Sequence, residues 1–386
     1  MDENYVVGID IGSTNVRVMT GELVESKIIK LIGVADYPVE GMHKGEVADT
    51  QKVNRALRRA LEKAEKMAGV KIKGACVSIT GAGVRSFDSE GVLTRQEKSG
   101  ITTEEADYVT ENARKVPLPA DRTVIHMMEE SFTIDGSGGI EDPVGMAGSR
   151  LERTVHIVTA VRRQVEALKD LLEWNGIELV KMVFAPFADA KIISENSGNK
   201  EHGLLINIGG EVTSFVRYNN GAINSSGVIP VGGFNVSNDL AIGMSIPIEV
   251  ADRLKKKRCL FSAGGSDGET GEPVMDIEID GRDYRFSTHE VSGIVTPRCE
   301  ELFSLISTHA GLDSNFEGPI YLTGGGSRMD KIEKVAENVF GEPAINLKPS
   351  GVKGLVELVG DTGWVTGAGL LFHGRDLITG YRESRG

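Results

Sequence analysis

Three glycine-bearing turns hold the residues in this chain that could do chemistry. They are Asp10-Ile11-Gly12-Ser13-Thr14-Asn15, Asn207-Ile208-Gly209-Gly210-Glu211 and Gly324-Gly325-Gly326-Ser327-Arg328-Met329. Small residues let the chain turn sharply, so that successive backbone N–H groups converge into a nest that holds an anion. Gly12, Ser13 and Thr14 offer one such nest and Gly209 and Gly210 another, with the Ser13 and Thr14 hydroxyls as extra donors. Asp10 ends an apolar run and offers an acceptor-only carboxylate, suited to the water shell of Mg²⁺. In the third turn, three consecutive glycines let the backbone approach a flat group closely. Each turn alone is also what a tight hairpin requires. Two of them facing each other would clamp a polyphosphate from both sides.

The elements that must position these turns are legible in the pattern of apolar residues. The run 5–10 is a buried strand, and 16–19 returns antiparallel from the first turn. Asp49 or Thr50 can cap a helix in which Val53, Ala56, Leu57, Ala60, Leu61, Ala64, Met67 and Ala68 share one face, with Gly69 as its stop. A strand follows at 75–80. The stretch 83–151 has a different rhythm: a capped helix over 99–113, a strand over 123–134, then a loop at Gly136-Ser137-Gly138-Gly139. This reads as an insertion, after which a strand at 154–159 and a helix over 161–174, closed by Gly176, resume the earlier rhythm. A second strand–glycine–strand unit opens at 204–210 and returns through 213–218 to Asn219-Asn220-Gly221, a hairpin-turn signal. The fold class is α/β, with two lobes that each begin in the same way.

The third turn, preceded by an apolar strand at 320–323 and followed by a helix, resembles the adenosine motif of the superfamily of actin, sugar kinases and heat-shock chaperones. The order of the loops matches as well: two phosphate loops, then the adenosine loop. Within that superfamily the chain is similar to the bacterial division family FtsA. The residues that carry the likeness are Gly33-Val34-Ala35, Gly41-Met42-His43-Lys44-Gly45-Glu46-Val47, Asp142-Pro143-Val144-Gly145-Met146-Ala147-Gly148, Ile229-Pro230-Val231-Gly232-Gly233 and Ser237-Asn238-Asp239-Leu240-Ala241. The resemblance implies an actin-like (ribonuclease H-like) two-lobed fold. Subdomain 1A would comprise 1–82, 152–200 and 356–386, interrupted by a 1C insertion at 83–151. Subdomain 2A would comprise 201–245 and 312–355, with 2B at 246–311.

It also implies ATP or ADP with Mg²⁺ in the interlobe cleft. Gly232 and Gly233 would lie near the phosphates, Asp252 and Lys255 on the ribose, and Gly324, Gly325, Gly326, Ser327 and Met329 around the base. Gly363, Gly367 and Gly369, around Trp364, match an interlobe connector in which small residues let helices cross. Implied partners are other copies of the chain, the C-terminal tail of FtsZ on 246–311, and further divisome proteins at the cytoplasmic face of the inner membrane.

Several positions depart from the family pattern. Asn207 stands where a carboxylate would organise Mg²⁺ and its water, and an amide offers the metal one neutral oxygen. Glu211 brings a negative charge beside the phosphates. Asn15 occupies a common lysine position. Ala185, before Pro186, stands where the superfamily places a residue that orients the attacking water. No catalytic residue is assigned, and slow or absent hydrolysis is expected. The apolar segment 370–378 is short and is expected to pack against the first lobe rather than enter lipid.

Bulk composition narrows the alternatives. The 386 residues carry 43 Lys and Arg against 56 Asp and Glu, a net charge of −13, which gives no nucleic-acid footprint. The basic run Lys255-Lys256-Lys257-Arg258 reads as a solvated helix end. Cys76, Cys259 and Cys299 lack paired spacing, which suits a reducing cytosol. No apolar run approaches a membrane span. His126, His156, His202, His289 and His373 show no metal-ligand spacing, and Trp174 and Trp364 read as packing residues. Two other functions share this fold: a pilus-assembly relative of FtsA, and a small-molecule kinase, which would need a catalytic Asp that the sequence does not place in the cleft.

Overall fold

Two sheets built on the same plan carry the first two turns. A computed structural model describes residues 4–25, 28–96, 99–197, 202–219, 222–256, 274–279, 281–312 and 316–383. In the first lobe the strand order is Glu178–Phe184, Gly74–Ile79, Tyr5–Ile11, Asn15–Val24, Ile28–Pro38, Val352–Gly354. Tyr5–Ile11 pairs antiparallel with Asn15–Val24, Asp10 facing Arg17, and parallel with Gly74–Ile79. In the second lobe the order is Ala222–Ile229, Thr213–Asn219, Gly203–Ile208, Ile320–Thr323, Ala344–Asn346. Here Gly203–Ile208 is antiparallel to Thr213–Asn219 and parallel to Ile320–Thr323, repeating the arrangement. Each sheet has its own core of buried aliphatic residues. A parallel strand beside each hairpin, its far face covered by helices, explains the continuous apolar runs in the sequence.

Local signals set the helix ends. Asp49 accepts from Lys52 N to start the helix Thr50–Ala68, and Gly69, at φ 71°, ends it. Met67 leaves the expected buried face and is 43% exposed. The helix expected from residue 99 begins at Thr103, because Thr102 and Glu105 form a capping box there. The inserted sheet has the order Arg85–Thr94, Arg150–Val161, Arg122–Ile134, Ser137–Ile140. Two details of the insertion differ from the sequence pattern. Part of the glycine-rich loop forms the short strand Ser137–Ile140 after a turn at Asp135 and Gly136, both with positive φ. The strand expected at 154–159 is the middle of Arg150–Val161, which pairs on both edges inside the inserted sheet and does not resume the first lobe's rhythm.

Two helices join the lobes, Ala185–Ser197 and Val365–Glu383, and they touch backbone to backbone. A Cβ at Gly369 would lie 1.8 Å from the Ala188 carbonyl oxygen, so only glycine permits this crossing. On the second of these helices Leu370, Leu371 and Phe372 are buried, as expected of segment 370–378. Trp364 is buried, but Trp174 is 55% exposed and packs little. Among the described residues no helix is long and apolar enough to cross a membrane. Beyond the second sheet lie the helices Gly233–Gly243, Ile248–Lys255 and Thr288–His309 and the hairpin Val274–Ile279 with Arg282–Ser287. Asn220-Gly221, Lys257-Arg258 and Cys259 lie outside the described residues.

Candidate functional site

The first turn is locked from beneath. Gly12 N donates to Asn15 O at 3.0 Å, and Asp10 Oδ1 accepts from Ser78 Oγ at 2.7 Å. Burial pushes the Asp10 carboxyl above its usual range, while Arg17 and the Ser78 hydrogen bond oppose this. Arg17 lies 3.9 Å from Asp10 and 3.3 Å from Asp36, with its guanidinium 5.8 Å from the Trp364 ring centre. Asn15 gives its amide to Asp36 Oδ1 at 2.6 Å.

The second turn is braced by the helix Gly233–Gly243, whose Gly233 N and Phe234 N donate to Gly209 O at 2.9 Å and Gly210 O at 2.6 Å. The two turns meet: a Cβ at Gly210 would lie 2.6 Å from Thr14 Cγ2. The third turn tucks against the second lobe's first strand. Gly324 has φ +84°, and a Cβ there would meet Ile208 O at 2.5 Å. Ser327 Oγ and Thr362 Oγ1 both donate to Gly324 O, at 2.8 and 2.9 Å, and fix the turn.

All three turns line one cavity of about 720 Å³ between the lobes. Of the residues singled out from sequence, Asp10, Gly12, Ser13, Thr14, Asn15, Ala185, Asn207, Gly209, Gly210, Gly233, Asp252, Lys255, Gly324, Gly325, Gly326 and Met329 border it. Three do not. Gly232 lies behind the second turn, its Cβ position 2.8 Å from Gly209 O, and Ser327 is buried as the clamp just described. Glu211 turns away from the cavity, its carboxylate accepting from Lys44 N of the first lobe at 2.5 Å. That backbone N–H gives the anion a partner away from any bound phosphate.

Lys255, read from sequence as part of a solvated helix end, is buried. Its ammonium donates to Gly233 O (2.9 Å), Ser237 Oγ (2.7 Å) and Asp252 Oδ1 (2.8 Å). Burial raises the Asp252 pKa, but hydrogen bonds and charge from Lys255 and Lys256 outweigh it and hold the carboxyl at about 2. Asp252 therefore stays ionised at the cavity wall.

Thr80, Arg17, Arg328 and Thr366 also border the cavity, and the sequence singled out none of them. Arg17 had one visible signal: a charged residue inside an apolar strand. It places a cation near the position where Asn15 replaces the family's lysine. A second cavity of about 740 Å³ lies along the helix Thr50–Ala68 and shares Pro38 with the first. Its lining mixes Lys52, Arg55, Arg58 and Arg59 with Glu40 and Glu62.

Two hairpin-bearing sheets that close glycine turns around one cavity, joined by crossing helices, define an actin-like protein. In fold it is similar to the PilM-PilN type IV pilus biogenesis complex (TM-score 0.70, 15% identity, 96% of this chain and 98% of that one). It is also similar to MreB 5 of Spiroplasma citri bound to AMPPNP (TM-score 0.57, 14% identity, all of both chains). The profile "Cell division protein FtsA" matches residues 204–369, and "SHS2 domain inserted in FTSA" matches 81–159. Cell division protein FtsA of Pseudomonas aeruginosa is 31% identical over 376 residues, 96% of this chain and 89% of the relative. The chain belongs to the FtsA family of actin-like cell division proteins.

Proposed function

We propose that this chain binds ATP or ADP between its lobes and acts in cell division as a self-associating link between the FtsZ polymer and other division components. The observation that supports this best is the convergence of three glycine turns, from two lobes, on one cavity. Gly12, Ser13, Thr14, Gly209 and Gly210 supply donors for phosphates. Gly324, Gly325, Gly326 and Met329 receive the base, and Asp252 and Lys255 stand where a ribose would contact them. Mg²⁺ fits the donor set: Asp10 is a buried carboxylate at the cavity edge whose nearest cation, Arg17, is 3.9 Å away, and a bound ion would relieve its burial. When bound, Mg²⁺ supplies charge neutralisation for the phosphates. Ala185 borders the cavity and carries no group to orient a water, which favours slow turnover.

The subdomain limits set out from sequence remain part of this proposal, except that the inserted sheet runs on through Arg150–Val161, as do the FtsZ tail on 246–311 and a place at the cytoplasmic face of the inner membrane. Fold likeness to the pilus complex rests on 15% identity, whereas the division profiles match directly. Calorimetric titration with ATP, ADP and a non-hydrolysable analogue, with magnesium, should give saturable heats. Phosphate release should stay well below about one per second. Absence of heat with all three nucleotides sinks the proposal.

A further inference from the structure

Behind the cavity wall lies a buried carboxylate with no role in the assignments so far. Asp189, one turn beyond Ala185 on the helix Ala185–Ser197, has no exposed surface. Its Oδ2 accepts from Asn207 Nδ2 at 2.6 Å and from Thr323 Oγ1 at 2.6 Å. Asn207 Nδ2 also donates to Thr366 Oγ1, at 3.2 Å. Both N–H bonds of the amide are thus held by acceptors on the two connecting helices. The remaining polar atom, Asn207 Oδ1, lies toward Gly324, where an added Cβ would meet it at 2.6 Å. Asn207 and Gly324 both border the cavity. The other oxygen, Asp189 Oδ1, is buried with no hydrogen-bond partner. A folded protein rarely keeps such a group without a use for it.

We propose that Asp189 is a positioning acid for the cation that accompanies nucleotide: it fixes the Asn207 amide with its oxygen toward the cleft and supplies, one layer deeper, the charge that Asn207 lacks. In the family pattern the second loop carries that charge itself. Here an amide stands in front and the carboxylate behind, so the site's negative charge is displaced rather than deleted. The inference rests on the nucleotide-binding proposal above. It concerns the metal and leaves the water-orienting gap at Ala185 untouched. Residues that orient a metal's direct ligands typically change metal affinity by about ten- to a hundredfold when replaced.

The test is ADP titration calorimetry on the full chain, with and without magnesium, alongside thermal melting. Asp189→Asn should reduce the magnesium-dependent gain in affinity about tenfold while leaving magnesium-free affinity within about twofold. The exchange Asp189→Asn/Asn207→Asp keeps the hydrogen bond, returns the charge to the front position and should restore the gain. A merely structural acid would leave the magnesium-dependent gain of Asp189→Asn unchanged. If Asp189→Asn does not fold, Asp189→Ser is read in its place: a gain cut about tenfold supports the proposal and an unchanged gain overturns it. An unchanged gain in folded Asp189→Asn also overturns it. Wild-type chain that binds no nucleotide removes the underlying nucleotide proposal, and this one with it.

Discussion

Two polar networks join separate bodies of this molecule, and they are finished differently. One is the cleft network of Asp189, Asn207, Thr323 and Thr366. The other joins the inserted sheet to the second lobe: His156 Nδ1 lies 2.6 Å from Asp88 Oδ1, and His156 Nε2 lies 2.8 Å from Ser226 Oγ. Ser86 Oγ donates to the Ser226 carbonyl beside it. Acid, imidazole and hydroxyl stand in the order used by serine hydrolases. Yet His156 is only 2% exposed, and none of the three residues borders either large cavity. In this second network both imidazole nitrogens and the serine hydroxyl are partnered, which makes a clasp. The cleft network leaves one carboxylate oxygen unmet and opens through Asn207 onto a cavity. Complete networks hold parts together, and incomplete ones mark places where a ligand completes the bonding.

The largest expected effect breaks the support of the cleft network. Gly369→Ala would drive a methyl into the Ala188 carbonyl, next to Asp189, and separate the two connecting helices. Overpacking of this kind should cost about 3 kcal/mol or more and abolish nucleotide binding. Denaturant unfolding checks it, and a loss below about 1 kcal/mol would show that the crossing is looser than described.

His156→Ala separates clasp from cleft. It leaves buried Ser226 without its partner, while Asp88, with its side chain 47% exposed, turns to water, and should cost about 2 kcal/mol in unfolding free energy. Nucleotide affinity should stay within about twofold, since the clasp lies away from the cavity. A tenfold change in affinity would mean that the two networks act as one.

A second seam of the insertion, against the first lobe, should respond to acid. His126 Nε2 accepts from Phe184 N at 2.8 Å, so this ring must be neutral at Nε2. Burial pushes His126 down to about 3 and His373 down to about 4. A depressed pKa means that the unfolded chain takes up protons first. The stability these rings contribute is therefore complete above about pH 6.5 and declines as pH falls toward 4. The slope should approach about 1.4 kcal/mol per pH unit for each ring. His126→Gln should remove one ring's share, as read by unfolding midpoints across pH 4 to 7. An unchanged slope would place the acid sensitivity elsewhere.

What could be read from sequence followed distance along the chain. The helix Thr50–Ala68 announced both its ends, because Asp49 and Gly69 act within one turn of themselves. The three turns were legible because glycine is required wherever backbone approaches backbone. Asp189 was not, since an acid in a helix looks solvated until the crossing of a second helix buries it. The pairing of Arg150–Val161 was equally hidden, because strand partners are chosen by register between distant segments. Lys255 looked like part of a basic run, and only the fold brings Gly233 O and Ser237 Oγ to its ammonium in the interior.

The smallest effect tests the one place where sequence and structure assign the same charge opposite roles. Beside bound phosphates, Glu211 would repel them, so Glu211→Gln would tighten nucleotide binding severalfold by simple Coulomb reasoning. In the structure its carboxylate instead accepts from Lys44 N across the lobe boundary and does not border the cavity. An amide oxygen at residue 211 can keep that bond at reduced strength. Glu211→Gln should then leave nucleotide affinity within about twofold and cost about 0.5 kcal/mol of stability, the difference between a charged and a neutral acceptor at a partly exposed site. Calorimetry at low salt, where residual repulsion is least screened, is the sharper measurement. Tightening of tenfold there would return Glu211 to the phosphates.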